Sequence, residues 1–261
     1  MTKAEKELEI IINDKIHGSS EILELLIKHF SKYATNPIYL KDVYKKINKK
    51  LSHFPVVTSF VKEANNAFNR KSKDEFIEFL KNYKQKNETK YNQLFNKTFS
   101  ILKEYKTILS ISHSKTLINI FNQWQENSKK IRIIICESRP EKEGSIMLKE
   151  LAKTGINVCL TTEAMAGNLI KQTDVVILGA DQILPNGDVV NKTGSRMLAI
   201  LAKHHKIPVY VISTADKKIK KAGIESLSIS DFYKSDFNKS KLLSTDFEVI
   251  EKNLITKIIT D

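Results

Sequence analysis

The pattern of apolar and polar positions changes near residue 105. Before that point, apolar residues recur at the three- and four-residue spacing of amphipathic helices, as at Ile22, Leu26 and Phe30. After it, short runs rich in β-branched residues alternate with helical stretches. Strands separated by helices imply right-handed crossovers and a parallel sheet. The sequence therefore predicts an α/β protein with an all-helical domain over 1–105 and a Rossmann-like parallel sheet domain over 106–261.

Glycine and charge follow the same division. Gly18 precedes the other glycines by more than a hundred residues, and these begin at Gly144. The net charge is +13, and most of the excess lies in the first half. Such a charge suits an acidic protein, RNA or phosphorylated ligands, but lysines interspersed with acids are also typical of a solvated surface. No recognised nucleic-acid module or aromatic-interleaved basic motif occurs, so we do not expect direct nucleic-acid binding.

Other sequence features bear on compartment and cofactors. Cys136 and Cys159 lie inside apolar runs, which indicates buried thiols in a reducing compartment and neither a disulfide nor a metal site. We find no apolar span of membrane length and no signal-peptide pattern, so we expect a cytoplasmic protein without a membrane segment. No Gly-x-Gly-x-x-Gly fingerprint opens a helix, and we expect no dinucleotide or other cofactor.

The stretch 175–205 carries the most distinctive chemistry. Residues 175–178 form an apolar run typical of a central strand, which delivers Asp181 to the sheet edge where ligands of open α/β sheets bind. A functional carboxylate and a turn-forming aspartate are equal alternatives at this position. After a Pro-Asn-Gly turn, residues 189–204 are predicted to be helical. Asn191 and Lys192 would then lie near a helix start, where free N–H groups and positive charge favour an anion such as phosphate.

The order GADQILPNGDVVNKTGSRMLAILAKHHKIPVYV, residues 179–211, resembles the signature segment of a known family. That family contains the α, β and δ subunits of translation initiation factor 2B and two isomerases, which act on methylthioribose 1-phosphate and ribose 1,5-bisphosphate. The similarity extends more weakly through nearly the whole chain. It implies a phosphorylated sugar or nucleotide ligand near Asp181, with binding residues at Gly18, Ser19, Ser114, Asn191 and Lys192.

The resemblance also shows that the catalytic pair is incomplete. The isomerases use a cysteine together with this aspartate to move a proton between sugar carbons, and here Ser112 stands at the cysteine position. An alcohol is a poor substitute, because its pKa lies far above the roughly 8.5 of a thiol. His113 titrates near neutrality, but it aligns one residue away and would face elsewhere on a strand.

Three further positions depart from the isomerase pattern. His17 and Phe54 stand where the isomerases have arginines that bind phosphate, and Glu143 replaces a glutamine beside the same phosphate. A carboxylate at that place would repel a phosphate group. Arg139 lies in a segment similar to the family's Glu-Thr-Arg-Pro, and a ligand or interface role is as well supported there as a structural ion pair. The lysine cluster 217–221 is expected to be a solvated loop.

The chain keeps Asp181, Asn191 and Lys192 of the family pattern but differs from the isomerases at Ser112, His17, Phe54 and Glu143. This combination implies a noncatalytic regulatory subunit of the initiation factor 2B type. The resemblance implies pairing with itself or with paralogous subunits, and contact with a translation initiation factor. A divergent aldose–ketose isomerase using Asp181 is the alternative. The tail 247–259 is predicted to be an extended piece and a helix at the dimer interface, so aspartates at Ile255 and Ile259 should give monomers. Lysines of the helical domain, at 45, 46, 49 and 50, are expected to meet an acidic partner.

Overall fold

Helices form the first part of the chain in the computed structural model, which describes residues 1–14, 17–33, 37–70, 72–127, 131–219, 230–231 and 243–261. The helices are α1 (Lys3–Ile12), α2 (Ser19–Tyr33), α3 (Pro37–Lys50), α4 (Pro55–Arg70) and α5 (Lys73–Leu102). Ser72 caps α5 through reciprocal hydrogen bonds between the side chain of each residue, Ser72 and Glu75, and the backbone N–H of the other. Ser19 is the first residue of α2 and directly follows Gly18.

The remaining described elements alternate between strands and helices. They are β1 (Thr107–Ile111), α6 (Lys115–Asn127), β2 (Arg132–Cys136), α7 (Glu143–Ala152), β3 (Asn157–Thr161), α8 (Ala166–Leu169), β4 (Val175–Leu178), β5 (Gln182–Ile183), β6 (Val189–Lys192), α9 (Ser195–His204), β7 (Val209–Ile212), β8 (Ser230–Asp231), β9 (Leu243–Ser244), β10 (Phe247–Ile250) and β11 (Lys257–Ile259). The main sheet is parallel, with the order β11-β7-β4-β1-β2-β3. The predicted fold class is therefore confirmed.

The buried apolar residues form separate clusters, and α5 takes part in two of them. Phe76 and Leu80, in its first half, pack among the helices of the first part. Leu94 and Leu102, in its second half, pack with Trp124 on one face of the sheet. A third cluster covers the opposite face, and β4 contributes residues to both faces, so that all of it is buried as the sequence predicts for a central strand. Because one long helix belongs to both cores, the helical part is fixed against the sheet.

Two secondary-structure predictions were wrong. Residues 189–192 form the strand β6, which pairs antiparallel with β5 and β10, and the helix begins only at Ser195. The tail ends in a 3₁₀ turn and the strand β11 where a final helix was predicted. In both places apolar residues occur at a spacing that fits helix and strand alike, and pairing with an available strand edge decided the outcome.

The tail residues proposed for a dimer interface are accordingly part of the fold. Ile259 belongs to β11 and is buried in the core on one face of the sheet, and Ile255 packs against the core on the other face. Substituting aspartate at either position would test folding and not assembly. Of the two cysteines, Cys136 is buried as predicted and Cys159 is only half-buried. Among the described helices, none is both long and apolar enough to cross a membrane.

The position of Ile259 gives a test of the tail. Ile259→Ala should lower the free energy of unfolding by about 2–5 kcal/mol, since this side chain is 3 % exposed in the core. The matched control is Ile10→Ala on α1, which is 71 % exposed and should change stability by about 0.5 kcal/mol or less. Urea denaturation followed by circular dichroism measures both. Equal effects of the two substitutions would show that the tail does not complete the sheet.

Candidate functional site

The candidate site lies where adjacent parallel strands end at one edge of the sheet. Ser112 follows β1 directly, and Asp181 follows β4 after two small residues. Since β1 and β4 are neighbours in the sheet, their carboxyl ends bring these residues to the same edge. Ser112 has a positive φ of 67°, a conformation rarely adopted by residues other than glycine, and such residues cluster at functional sites.

Close packing of α7 against β2 brings a carboxylate into this edge. A methyl group at Gly144 would collide with the carbonyl of Cys136, so only glycine permits this approach. Glu143, the preceding residue, thereby points into the site and is 2 % exposed. Its Oε1 lies 2.7 Å from Lys192 Nζ, and its Oε2 accepts a hydrogen bond of 3.2 Å from Ser112 Oγ.

This ion pair sets the charge of Lys192. Burial by itself disfavours the charged ammonium, but the Glu143 carboxylate, together with the charges of Asp181 and Asp246, outweighs it and raises the pKa of Lys192 above its usual value. Lys192 therefore remains protonated, and an internal carboxylate is its direct partner. Its ammonium also lies 4.9 Å from the centre of the Phe247 ring.

Asp181 connects the helical part to the sheet. It is 8 % exposed, and Ser19 Oγ at the start of α2 donates a hydrogen bond of 3.4 Å to its Oδ1. The nearby Lys217 Nζ donates a hydrogen bond of 2.7 Å to the carbonyl of Ala180. Burial lowers the pKa of the Lys217 ammonium, and the Asp181 charge opposes this shift. Lys217 is thus a buried site residue, and its prediction as part of a solvated loop was wrong.

Two hollows that share Gly18, Asp181 and Lys192 as lining residues lie at this site. The first, which we call the strand-end pocket, has a volume of about 30 Å³ and is lined among others by Gly18, Ser19, Ser112, Ser114, Asp181, Asn191, Lys192 and Lys217. The second, which we call the site cavity, has a volume of about 280 Å³ and is lined by Ile12, Asn13, Asp14, His17, Gly18, Lys50, Leu51, His53, Phe54, Asp181, Lys192, Asp246 and Phe247. The structure thus brings all but one of the residues named from the sequence around one site.

Arg139 is the exception. It borders a separate small hollow with Glu143 and Lys192, and its side chain is exposed with its Nε 3.8 Å from Glu137 Oε1. The predicted anion position at the helix start also differs from expectation. Glu248 Oε1 accepts hydrogen bonds from the backbone N–H groups of Gly194 and Arg196, at 2.7 and 2.8 Å. An internal carboxylate therefore caps α9 where a phosphate was expected.

His113 belongs to a separate series of acids and imidazoles. Its Nε2 lies 3.0 Å from Glu150 Oε1 and its Nδ1 lies 3.6 Å from Glu21 Oε2. Glu21 also faces His17, whose other ring nitrogen is 2.6 Å from Asp14. Both nitrogens of His113 are thus directed at carboxylates of α2 and α7 and not at Asp181. No group of three His, Cys, Asp or Glu side chains in the described part of the chain is arranged to hold a metal ion.

The sequence analysis missed several lining residues. Lys217 follows the strand β7, and its place after a strand end was the available signal. His53, Asp246 and Phe247 reach the site cavity through packing between distant segments: the Gln182 side chain donates a 2.7 Å hydrogen bond to the His53 carbonyl, and β10 pairs with β6. No local pattern distinguishes these residues before the chain is folded.

The buried ion pair should be important for stability. Glu143→Gln removes the charge that compensates Lys192 and should lower the free energy of unfolding by about 3 kcal/mol. The matched control is Glu251→Gln, which breaks the exposed Arg196–Glu251 pair and should cost about 1 kcal/mol or less. Chemical denaturation of the two variants gives the comparison. A loss at Glu143 no larger than the loss at Glu251 would mean that the buried pair contributes nothing beyond a surface contact.

Comparisons with known proteins place this geometry among relatives. A stretch of 162 residues is 37 % identical to methylthioribose-1-phosphate isomerase from Thermotoga petrophila, covering 56 % of this chain and 47 % of that protein. A stretch of 100 residues is 40 % identical to ribose 1,5-bisphosphate isomerase from Thermococcus kodakarensis, covering 38 % and 31 % respectively. The matches thus span about half or less of each relative's length.

Solved structures share the fold along the whole chain. The crystal structure of translation initiation factor eIF-2B from Pyrococcus horikoshii superposes with a TM-score of 0.85 at 20 % identity, over 99 % of this chain and 95 % of that one. The 5-methylthioribose 1-phosphate isomerase of the same organism gives a TM-score of 0.79 at 21 % identity, over 99 % and 83 %. The profile of the initiation factor 2 subunit family matches residues 48–261. This chain therefore belongs to the initiation factor 2 subunit family, as its signature segment predicts.

Proposed function

We propose that this chain is a noncatalytic subunit of the initiation factor 2B type that acts in translation initiation. The observation that carries the proposal is the contact of Glu143 with both Lys192 and Ser112. Glu143 neutralises the cation with which a substrate phosphate would pair. It also accepts a hydrogen bond from the hydroxyl of Ser112, the residue at the family's cysteine position. The residues that would bind and transform a sugar phosphate are thus engaged with one another.

The pocket supports this reading at two further positions. His17 and Phe54 line the site cavity where the isomerase pattern has arginines. His17 is paired with Asp14, and Phe54 is part of the helical core. Neither position supplies a guanidinium, whose planar, permanently charged fork binds phosphate through two parallel hydrogen bonds. A dianionic substrate would therefore meet few free cations in this cavity.

A divergent sugar-phosphate isomerase is the second candidate, and Asp181 favours it. This carboxylate is largely buried beside Lys217, whose pKa is lowered by burial. A carboxylate and an amine of lowered pKa in one pocket could remove a proton and return it at the neighbouring carbon. The identity with proteins named as isomerases points the same way. The candidate requires that an anionic substrate displace Glu143 from Lys192.

An isomerisation assay separates the two candidates. The wild-type protein should convert neither ribose 1,5-bisphosphate nor methylthioribose 1-phosphate, and Asp181→Asn should be indistinguishable from it. Proton NMR in D₂O detects both the product and deuterium incorporation. The Thermotoga petrophila isomerase serves as the positive control. Turnover by the wild type that is lost in Asp181→Asn would overturn the noncatalytic proposal and establish the isomerase.

The second part of the proposal concerns binding partners and the lysine-rich surface of α3. We propose that the chain pairs with itself or with paralogous subunits and presents α3 to an acidic surface of a translation initiation factor. Lys45 and Lys49 are exposed on this helix. Attraction between opposite surface charges speeds association and weakens as salt is raised. Lys46 and Lys50 contact Glu9 and Asn13 and so also hold α3 against α1.

Charge reversal tests this surface. The double variant Lys45→Glu with Lys49→Glu should bind initiation factor 2 of the same organism at least tenfold more weakly. The loss of affinity should be larger at low salt than at high salt. Lys149→Glu with Lys153→Glu, exposed in and after α7, is the control with the same charge change and should have little effect. Biolayer interferometry measures binding, and light scattering checks that the assembly is unchanged. Binding that is indifferent to salt would remove the electrostatic part of the proposal.

A further inference from the structure

We infer that the site cavity binds an uncharged, polyhydroxylated ligand of nucleoside size, and discriminates against the phosphorylated form of the same molecule. The inference rests on the proposed noncatalytic function, since it concerns binding without turnover at the same site. Three properties of the cavity support it: the pairing of its charges, its aromatic wall and its underused hydrogen-bond acceptor.

The buried cations near the cavity already have acidic neighbours, whereas Lys50, exposed at the edge of the cavity, donates a hydrogen bond to the Asn13 side-chain oxygen. Lys192 Nζ lies 2.7 Å from Glu143, and Asp181 and Asp246 add to the negative charge around it. The His17 ring lies 2.6 Å from Asp14, and Lys217 faces Asp181. A phosphate dianion entering here would have to displace a buried carboxylate or lie beside several of them, and like charges repel strongly where solvent is scarce. An uncharged ligand meets no such barrier.

One wall of the cavity is aromatic. His53, Phe54 and Phe247 lie together, with ring centroids 4.1 Å apart for His53 and Phe54 and 5.9 Å apart for His53 and Phe247. Burial lowers the pKa of His53, so its ring is uncharged at neutral pH. A cluster of uncharged rings suits the flat face of another ring. The volume of about 280 Å³ is close to the lower end for small-molecule pockets, roughly 300 Å³.

The cavity lining also offers hydrogen-bond acceptors. Asp181 is 92 % buried, yet within the described residues its carboxylate accepts one side-chain hydrogen bond, the long 3.4 Å contact from Ser19. A buried carboxylate has room for several donors, and leaving that capacity unused is costly. Asp246, which is only partly buried, lines the same cavity. Hydroxyl groups are donors without charge and so fit these acceptors. A ring beside the aromatic wall that carries hydroxyls toward Asp181 is the arrangement found in a nucleoside.

Matched pairs of probes that differ by one phosphate test the inference. Isothermal titration calorimetry of the wild-type protein should show adenosine binding at least tenfold more tightly than adenosine 5′-monophosphate, and ribose more tightly than ribose 5-phosphate. Adenosine should exceed ribose because only adenosine reaches the aromatic wall. Tighter binding of either phosphorylated probe, or the absence of saturable adenosine binding, would overturn the inference.

Variants assign the selectivity to named residues. Glu143→Gln frees Lys192 and should improve adenosine 5′-monophosphate binding at least tenfold, whereas Glu251→Gln, remote from the cavity, should leave both affinities unchanged. Asp181→Asn should lower the affinity for adenosine at least tenfold and leave the circular dichroism spectrum unchanged. This variant provides the test if Glu143→Gln does not fold. Unchanged adenosine affinity in Asp181→Asn would refute the assignment. Failure here leaves the noncatalytic proposal standing, because only sugar-phosphate turnover contradicts that one.

Discussion

The ion pair between Glu143 and Lys192 is the interaction on which the organisation of the site depends. It joins the start of α7 to the end of β6, and Ser112 at the end of β1 donates to the same carboxylate. Removing two charges from water is expensive, and their attraction offsets this only when the geometry is good and the remaining atoms have hydrogen bonds. The position of Glu143 is therefore tightly constrained, and Gly144 provides the close approach that makes it possible.

The same pair connects structure to function. The resemblance implies a phosphate beside Lys192. In this chain the Glu143 carboxylate lies there. The cavity remains, because α5 packs in both cores and Ser19 and Gln182 join the helical part to the sheet. What changes is its charge. A protein of net charge +13 thus has a candidate binding site whose buried lysines, Lys192 and Lys217, face carboxylates. Many of its other lysines are exposed.

That separation of charge fits a subunit whose main role is to assemble and bind. Exposed lysines on α3 are solvated and free to attract an acidic surface over the distance that salt permits. The buried lysines, by contrast, interact with groups at fixed distances inside the protein and contribute little to long-range attraction. The proposed partner surface and the proposed ligand cavity therefore consist of different residues, and each can be altered without changing the other.

The sequence by itself determined the fold class, the central strand at 175–178 and the family. These follow from local periodicity and from a signature whose residues are close along the chain. It also indicated which residues would meet at the strand ends, since parallel strands bring their carboxyl ends to one edge. Prediction from the sequence failed where the surroundings of a segment decided the conformation of that segment. Residues 189–192 and 257–259 are strands because the edges of neighbouring strands were available to pair with them.

Only the tertiary structure decided the electrostatics of the site. From the sequence, Glu143 was an acid in place of a glutamine, Lys192 a candidate phosphate ligand and Lys217 a solvated lysine. Their actual states depend on burial and on partners that are distant in sequence: Glu143 and Lys192 are 49 positions apart and lie in contact, and Lys217 reaches the carbonyl of Ala180. Charge interactions act through space and depend on the exclusion of water, so no local pattern of residues could specify them.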